Sequence, residues 1–277
     1  MNKSRLSAGY LSNGLPYNRM GDGPLPLVAF QGLVLEHKPL STFLASLMFG
    51  DYNRWGKDYT VYLVCRKPGL PDGYSMRNMS DDYAVMIEAE FGGPVDVLGV
   101  STGGSIVQHF AADHPGLVRK LVIHSSAHTL SDSAKALQWK VGVLARQRQW
   151  REVYATLFGA LIPRQGAGQY VTRPLLWLGS LAASKFAAPA DPCDLAVTVE
   201  AEDKHNFKER LAEITAPTLV VAGDKDPFYT EALFRETAAG IQNAKLILYK
   251  GMGHPASGKQ FGEDVLNFLK GSAPGQA

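Results

Sequence analysis

The stretch VDVLGVSTGG, residues 95–104, decides the predicted fold. Its first six residues form a compact, mainly apolar run that is typical of a buried strand. The residues that follow match the pattern G-x-S-x-G, with Ser101 at its centre, and lead into a helical segment. In so tight a turn only glycines fit beside the serine, and its hydroxyl points to the helix N-terminus, where negative charge is stabilised. The context predicts a nucleophilic serine; the alternative is a glycine-rich turn in which Ser101 only caps the helix.

Short apolar runs alternate with helical segments along most of the chain, which indicates α/β layering. Continuous apolar runs suit strands that are buried on both faces, as in a parallel sheet. The predicted strands are residues 25–31, 60–65, 95–100, 120–124, 218–222 and 245–249. The predicted helices are residues 80–91, 103–114 and 262–270.

A helix-prone segment interrupts this alternation after residue 127. It carries Trp139, Trp150 and Trp177, and residues 128–190 contain eight Lys and Arg side chains against two acidic ones, a net charge of +6. Because the segment separates two predicted strands, we interpret residues 128–209 as an inserted helical cap, called the cap segment below. The predicted core consists of residues 1–127 and 210–277. The basic charge either attracts an anionic substrate or belongs to an ordinary solvated helix surface.

The composition excludes several classes of protein. With 277 residues, 45% hydrophobic and 19% charged, and a mean hydropathy of −0.09, the chain is neither disordered nor collagen-like. A net charge of +2 without a block of basic residues argues against a general nucleic-acid binder. Cys65 and Cys193 are too few for a disulfide framework and lack zinc-ligand spacing. No signal-peptide stretch or apolar run of about 18 residues occurs, so we expect a cytoplasmic protein, monomeric or homodimeric, without membrane partners.

A serine nucleophile needs a general base, and the base needs an acid that orients it. The strand–serine–helix turn predicts the order serine, acid, histidine along the chain. His254 is the only histidine after His205, and it lies on a glycine-flanked loop, KGMGH, directly after the last predicted strand. A loop at that end of the strand reaches the serine turn, so His254 is the predicted base. Most of the other histidines are expected at the surface or in the cap segment.

The acid is expected at the end of the preceding strand, where the sequence reads GDKDP from Gly223. Two carboxylates compete there. Asp226 precedes a proline, which biases its backbone towards an extended conformation. Asp224 lies nearer the strand end, where it would cap the turn. The residues after the strand 120–124 offer no carboxylate before Asp132, so an acid at that position is a poor alternative.

These motifs resemble those of the α/β-hydrolase superfamily, in particular its branch of capped esterases, lipases and C–C hydrolases. The resemblance rests on GVSTGG, GDKDP and GMGH, which follow the expected strands in the expected order over nearly the whole chain. It implies a mostly parallel, eight-stranded sheet flanked by helices, with an inserted helical cap. The family pattern G-x-x-D, counted from Gly223, falls on Asp226. GVSTGG is also similar to the elbow of cofactor-free haloperoxidases (perhydrolase-type esterases), whereas Ser101 argues against haloalkane dehalogenases and epoxide hydrolases, which carry aspartate there.

The resemblance also implies an oxyanion hole formed by the backbone N–H groups of Leu33 and Thr102. Two positions depart from the family pattern. The family usually has His-Gly after its third strand, whereas this chain has Gln31-Gly32, and the Leu33 N–H is still able to donate. The family's D-x-x-G after the fourth strand corresponds here to CRKPG, residues 65–69, and we interpret the cysteine as a structural residue.

Four residues near these motifs are candidates for the substrate pocket, although core packing would explain each of them equally well: Gln31, Phe228, Tyr229 and Met252. The chain has no P-loop, dinucleotide-binding or zinc-protease motif, so we expect no cofactor and no metal. The expected activity is hydrolysis of a carboxylic ester by Ser101, His254 and Asp226, with a small-molecule ester or related acyl compound as the partner.

Two other functions stay open. The same three residues would also serve a hydrolase that breaks a C–C bond in an acidic, diketone-like compound, held by Arg146 or Arg173 of the cap segment. The third possibility is a ligand-binding protein on this scaffold that holds a small hydrophobic molecule with slow or single turnover.

Overall fold

An eight-stranded β-sheet forms the centre of the computed structural model, which describes residues 6–48, 50–161, 179 and 188–271. Its strands are β1 (Ser7–Tyr10), β2 (Pro16–Met20), β3 (Leu25–Phe30), β4 (Tyr59–Val64), β5 (Val95–Val100), β6 (Val118–His124), β7 (Thr218–Gly223) and β8 (Ala244–Tyr249). They lie in the order β1-β2-β4-β3-β5-β6-β7-β8. The pairs β1–β2 and β2–β4 are antiparallel, and the other pairs are parallel. The predicted mostly parallel, eight-stranded sheet is therefore confirmed.

Helices cover both faces of this sheet. They are α1 (Thr42–Met48), α2 (Met76–Phe91), α3 (Thr102–Asp113), α4 (Asp132–Arg146), α5 (Trp150–Leu161), α6 (Cys193–Asp203), α7 (Glu231–Gly240) and α8 (Lys259–Lys270). In the sequence ranges that the structure describes, no helix is long and apolar enough to cross a membrane.

Alternate residues of the central strands supply two separate cores, because successive side chains of a strand point to opposite faces. In β3, Val28 and Phe30 pack with α2 and α3, where the Phe30 ring stacks on Tyr83 with the centroids 3.8 Å apart. Leu27 and Ala29 pack on the other face with α8. The strands are thus buried on both sides, which explains their continuous apolar sequences.

The six strands predicted from the sequence are present, and their ends agree to within two residues. β1 and β2 carry little strand signal, because SAGY and PYNRM are short, contain polar residues and lack an apolar run. The prediction that the helix ending at residue 91 begins at residue 80 is wrong. α2 begins at Met76, because the Ser75 hydroxyl accepts a hydrogen bond from the Asn78 N–H and the Asn78 side chain accepts one from the Ser75 N–H.

Three described helices, α4, α5 and α6, lie in the predicted cap segment. Leu195 and Val199 of α6 pack with α4 and α5. Val197 and Ala201, on the other side of α6, pack into the core beside α2 and α3. Since α6 has an apolar contact on both sides, it joins α4 and α5 to the core.

The tryptophans of the cap segment have different surroundings. Trp150 packs inside the cluster formed by α4, α5 and α6, whereas Trp139 is exposed. Trp177 lies outside the described residues. The limits of the cap segment, 128–209, stay a prediction.

The carboxyl ends of the parallel strands meet at one edge of the sheet. The loops after β3, β5, β7 and β8 begin there, and they carry Leu33, Ser101, Asp226 and His254. In open α/β sheets this is the edge at which ligands bind. The fold therefore gathers residues that are up to 221 positions apart in the sequence.

Candidate active site

Ser101 occupies the turn between β5 and α3 in a backbone conformation that residues with side chains rarely adopt. Its φ is 53° and its ψ is −123°. The Ser101 N–H donates to the His124 carbonyl (2.9 Å), and its carbonyl accepts from the Gly104 N–H (2.7 Å). Such a conformation persists only where the surroundings enforce it, and it commonly marks a functional residue.

Glycines make room for this turn. A Cβ on Gly103 would overlap the Phe30 carbonyl at the end of β3, and a Cβ on Gly104 would overlap the Ser126 side chain after β6. The first turn of α3 therefore packs directly against the chain on both sides, which explains why the sequence carries glycine at these positions.

Ser101, His254 and Asp226 form a continuous chain of hydrogen bonds. His254 Nε2 lies 3.0 Å from Ser101 Oγ, and His254 Nδ1 lies 2.7 Å from Asp226 Oδ2. Because an ionised carboxylate only accepts, Nδ1 carries the proton and Nε2 is left to accept from the serine hydroxyl. The His254 side chain is 7% exposed and that of Asp226 is fully buried.

The two competing aspartates have different partners. The second oxygen of Asp226, Oδ1, accepts hydrogen bonds from the N–H groups of Phe228 (2.9 Å) and Tyr229 (3.2 Å). These bonds fix the carboxylate with Oδ2 directed at the histidine. Asp224 Oδ1 instead accepts a hydrogen bond from the Gly251 N–H at 2.6 Å. This aspartate therefore links the loop after β7 to the loop after β8.

The two predicted oxyanion donors belong to chain segments next to Ser101. Thr102 is the first residue of α3. Leu33 follows Gly32 in the loop after β3, and a Cβ on Gly32 would lie 3.4 Å from the Ser101 Cβ. The side chain of Leu33 packs against the apolar cluster of α4, α5 and α6. The structure thus brings the Leu33 peptide, the serine and helices α4, α5 and α6 together.

Glu202 of α6 adds a buried carboxyl group to this site. Its Oε2 accepts a hydrogen bond from the Thr102 hydroxyl (2.7 Å), and its Oε1 accepts one from the Ser105 hydroxyl (3.0 Å). Burial raises the pKa of the Glu202 carboxyl above its usual value. Nothing in the local sequence VTVEAED distinguishes Glu202 from the partly exposed Glu200, so sequence reasoning missed it.

The four pocket candidates are not all next to the histidine. The rings of Phe228 and Tyr229 lie beside His254, with centroids 4.8 Å and 6.1 Å from the imidazole. Gln31 is buried, and its N–H donates to β4. Met252 packs against the core cluster on the α8 face of the sheet. A role in the pocket stays a prediction for all four residues.

Two other histidines lie where the sequence did not lead us to expect them. His37 and His124 are outside the cap segment, yet both are buried. The His124 Nε2–H donates to the Ala256 carbonyl (2.7 Å), and its ring stacks on Phe261. Burial lowers the pKa of His124 to about 4, so this imidazole is neutral at pH 7.

The described residues offer no set of three His, Cys, Asp or Glu side chains that is arranged to hold a metal ion. Cys65, at the end of β4, is buried, and burial raises the pKa of its thiol to about 11. Because the thiolate is the reactive form, Cys65 is chemically inert here.

The sequence matches the alpha/beta hydrolase family over residues 30–261. The chain belongs to this family. In this alpha/beta hydrolase, Ser101 follows β5, Asp226 lies in the loop after β7, and His254 lies in the loop after β8.

Individual relatives fit this assignment. The alpha/beta hydrolase superfamily protein YisY of Bacillus subtilis is 26% identical over 239 residues, which are 83% of this chain and 85% of YisY. A 2-hydroxy-6-oxononadienedioate/2-hydroxy-6-oxononatrienedioate hydrolase of Klebsiella pneumoniae is 39% identical over 77 residues, which are 26% of this chain and 27% of that protein. The esterase EaEST from Exiguobacterium antarcticum has the same fold, with a TM-score of 0.69 at 17% identity over 95% of this chain and 99% of EaEST.

Gly103→Ala tests the packing of the serine turn. In an ordinary helix this change stabilises by about 1 kcal/mol, but here the new methyl group overlaps a backbone carbonyl that cannot move aside. We expect a loss of about 3 kcal/mol in the free energy of unfolding, measured by urea denaturation. Gly116→Ala, where a Cβ meets open space, is the matched control and changes stability by less than about 0.5 kcal/mol. Equal effects of the two changes would contradict this packing.

Glu202→Gln tests the raised pKa of the buried carboxyl group. A folded-state pKa above the unfolded value gives stability that is complete below the unfolded pKa and is lost as the pH rises through the folded pKa. The glutamine does not ionise, so its stability relative to the wild type rises as the pH increases from about 4 to about 8. Urea unfolding of both proteins at several pH values measures this difference. A difference that stays constant or shrinks would show that the pKa is not raised.

Proposed function

We propose that this alpha/beta hydrolase cleaves carboxylic esters by way of an acyl-enzyme on Ser101. The observation that carries the proposal is the hydrogen-bonded chain from Ser101 through His254 to Asp226, which ends on a serine with positive φ at the N-terminus of a helix. A nucleophile, a base in contact with it and an acid that orients the base are the parts that acyl transfer requires.

In the proposed reaction, Ser101 Oγ attacks the carbonyl carbon of the ester while His254 Nε2 takes the hydroxyl proton. The carbonyl π electrons move to the oxygen and form a tetrahedral oxyanion. When the intermediate collapses, the bond to the alcohol breaks and His254 returns the proton to the leaving oxygen. Water then attacks the acyl-enzyme by the same steps, which releases the acid and restores Ser101. Asp226 holds the Nδ1 proton and stabilises the imidazolium that forms in each half.

The backbone N–H groups of Leu33 and Thr102 are the proposed donors to the oxyanion. The Leu33 N–H belongs to the peptide that follows Gly32, close to Ser101, and the Thr102 N–H lies at the N-terminus of α3, where the helix dipole also favours negative charge. Neither donation requires a side chain, so the change from His-Gly to Gln31-Gly32 leaves this part of the reaction intact.

The surroundings of the site favour a neutral, apolar acyl group over an acidic substrate. Leu33 faces the apolar cluster of α4, α5 and α6, and Phe228 lies on the histidine. Arg146, a candidate for holding a substrate carboxylate, is already paired with Glu200 (2.7 Å) and Asp72 (2.8 Å). Arg173 lies outside the described residues. The likeness in fold to the esterase EaEST is consistent with an ester substrate.

Hydrolysis of p-nitrophenyl esters of increasing acyl length is the first test of the proposal. The wild type should release p-nitrophenol, and Ser101→Ala should reduce kcat by about 10⁶-fold, since the nucleophile is lost. The chain-length preference then measures the size of the acyl pocket.

Each other outcome of that assay has a definite meaning. If the wild type is inert on every chain length, ester hydrolysis is wrong, and C–C bond hydrolysis or ligand binding takes its place. If Ser101→Ala keeps the wild-type activity, Ser101 is not the nucleophile.

A second prediction separates the two aspartates. Asp226→Asn should reduce kcat by about 10⁴-fold, because an amide no longer holds the Nδ1 proton of His254 in the required tautomer. Asp224→Asn should keep the wild-type kcat, since an amide oxygen still accepts from the Gly251 N–H. Steady-state kinetics on the best p-nitrophenyl ester measures both variants. The reverse result would make Asp224 the acid.

A further inference from the structure

The peptide unit between Gly32 and Leu33 is held from its carbonyl side by a buried arginine. Arg66, which follows β4, donates from one terminal nitrogen to the Gly32 carbonyl (2.9 Å) and from the other to the Gln31 carbonyl (2.8 Å). The whole residue is 1% exposed. The planar fork of a guanidinium fits two neighbouring acceptors in a fixed geometry, and a single ammonium group does not reproduce it.

This contact controls the N–H group on the opposite side of the same peptide. In a trans peptide the C=O and N–H bonds point in opposite directions, so fixing the Gly32 carbonyl on Arg66 directs the Leu33 N–H away from Arg66. A cation on the carbonyl also polarises the peptide and makes its N–H a stronger donor. Among the hydrogen bonds between described residues, none uses the Leu33 N–H.

Arg66 is itself held by a neutral imidazole. Its Nε donates to His37 Nε2 (3.0 Å), and the His37 Nδ1–H donates to the Lys67 carbonyl (2.9 Å). Burial and the nearby Arg66 charge hold the pKa of His37 well below its usual value, so this imidazole stays uncharged. Within the described part of the chain, Arg66 forms no salt bridge with a carboxylate. Its positive charge is therefore not cancelled by a direct partner.

We infer that Arg66 is a positioning residue for the oxyanion hole. It orients the Gly32–Leu33 peptide and strengthens the Leu33 N–H as a donor to the negative oxygen that forms during attack by Ser101. The inference rests on the proposed acyl-transfer function, but it concerns a residue outside the triad. Its characteristic effect is on the binding of a tetrahedral oxyanion and not on the binding of an uncharged substrate.

The test compares two ligands of the same acyl shape, a trifluoromethyl ketone and a plain methyl ketone. The trifluoromethyl ketone accepts Ser101 Oγ on its carbonyl carbon, and its carbonyl oxygen becomes an oxyanion while His254 takes the serine proton. The plain ketone binds as the neutral carbonyl compound. In Arg66→Lys and Arg66→Met we expect kcat on the best p-nitrophenyl ester to fall about 10- to 100-fold. The affinity for the trifluoromethyl ketone should fall by the same factor, and the affinity for the plain ketone and KM should stay within about twofold.

Tyr59→Phe is the matched control for a buried hydrogen-bonding residue. The Tyr59 hydroxyl donates to Asp96 (2.9 Å) and to the Leu269 carbonyl (3.2 Å), at the amino end of the central strands and away from the serine turn. The control should lower the melting temperature and leave kcat and both ketone affinities unchanged. If the Arg66 variants do not fold, His37→Leu is used instead, because it removes one acceptor of Arg66 and leaves both carbonyl contacts in place. We then expect a loss of about fivefold in kcat and in trifluoromethyl ketone affinity.

Two results would overturn the inference while ester hydrolysis stands. One is an unchanged kcat in the Arg66 variants. The other is an equal loss of affinity for the two ketones, which would mean that Arg66 only maintains the pocket. If the wild type hydrolyses no ester, the inference is tested by the rate at which a fluorophosphonate labels Ser101. In that reaction Ser101 Oγ displaces fluoride from phosphorus, and the phosphoryl oxygen occupies the same oxyanion hole. A slower reaction in Arg66→Lys than in Tyr59→Phe supports the inference, and an equal rate or no labelling of Ser101 overturns it.

Discussion

The first turn of α3 packs directly on the chain at the ends of β3 and β6, and the rest of the site depends on this contact. Gly103 and Gly104 carry no Cβ, so the helix can approach the Phe30 carbonyl and the Ser126 side chain. A helix so close to the sheet leaves only a sharp turn between β5 and α3, and Ser101 adopts a positive φ there. Its side chain then meets His254 at the carboxyl edge of the sheet, where the loops after the parallel strands begin. These two close contacts therefore fix the serine and the helix N-terminus behind it.

Helix α6 is anchored to the core by a buried carboxylate near each end. In its first turn, Asp194 accepts hydrogen bonds from the N–H groups of Gly69 (2.7 Å) and His37 (3.0 Å). In its last turn, Glu202 accepts from hydroxyls at the start of α3. Breaking either set would leave a buried polar group without partners, which costs far more than losing an exposed contact. α6 is thus bound to the loops after β3 and β4 and to the start of α3, in addition to its apolar contacts with α4 and α5.

Site residues that belong to a pattern within one short stretch of sequence could be predicted. Site residues that are defined only by contacts with distant partners could not. GVSTGG located Ser101 because the glycines, the strand and the helix are all adjacent to it. Asp226 and Asp224 share one turn, so the residues alone left both open; in the structure only Asp226 Oδ2 meets His254. Glu202 has its partner Thr102 one hundred residues away, and Arg66 has its carbonyls on another strand end, so neither has a local pattern. Strands β1 and β2 were missed for a different reason, since their short sequences have no alternating or continuous apolar pattern.

The two peptides proposed to bind the oxyanion are flanked by groups of opposite charge. Arg66 contacts the carbonyl of the Leu33 peptide, and Glu202 contacts the side chain of Thr102. The carboxylate form of Glu202 would oppose a developing negative charge, and burial, which raises the pKa of this carboxyl group, disfavours that form. The guanidinium stays charged, and its acceptors are neutral carbonyls and an imidazole. A direct ion pair between Arg66 and a carboxylate would cancel the positive potential behind the Leu33 N–H, whereas hydrogen bonds to neutral acceptors hold the arginine in place and preserve that potential.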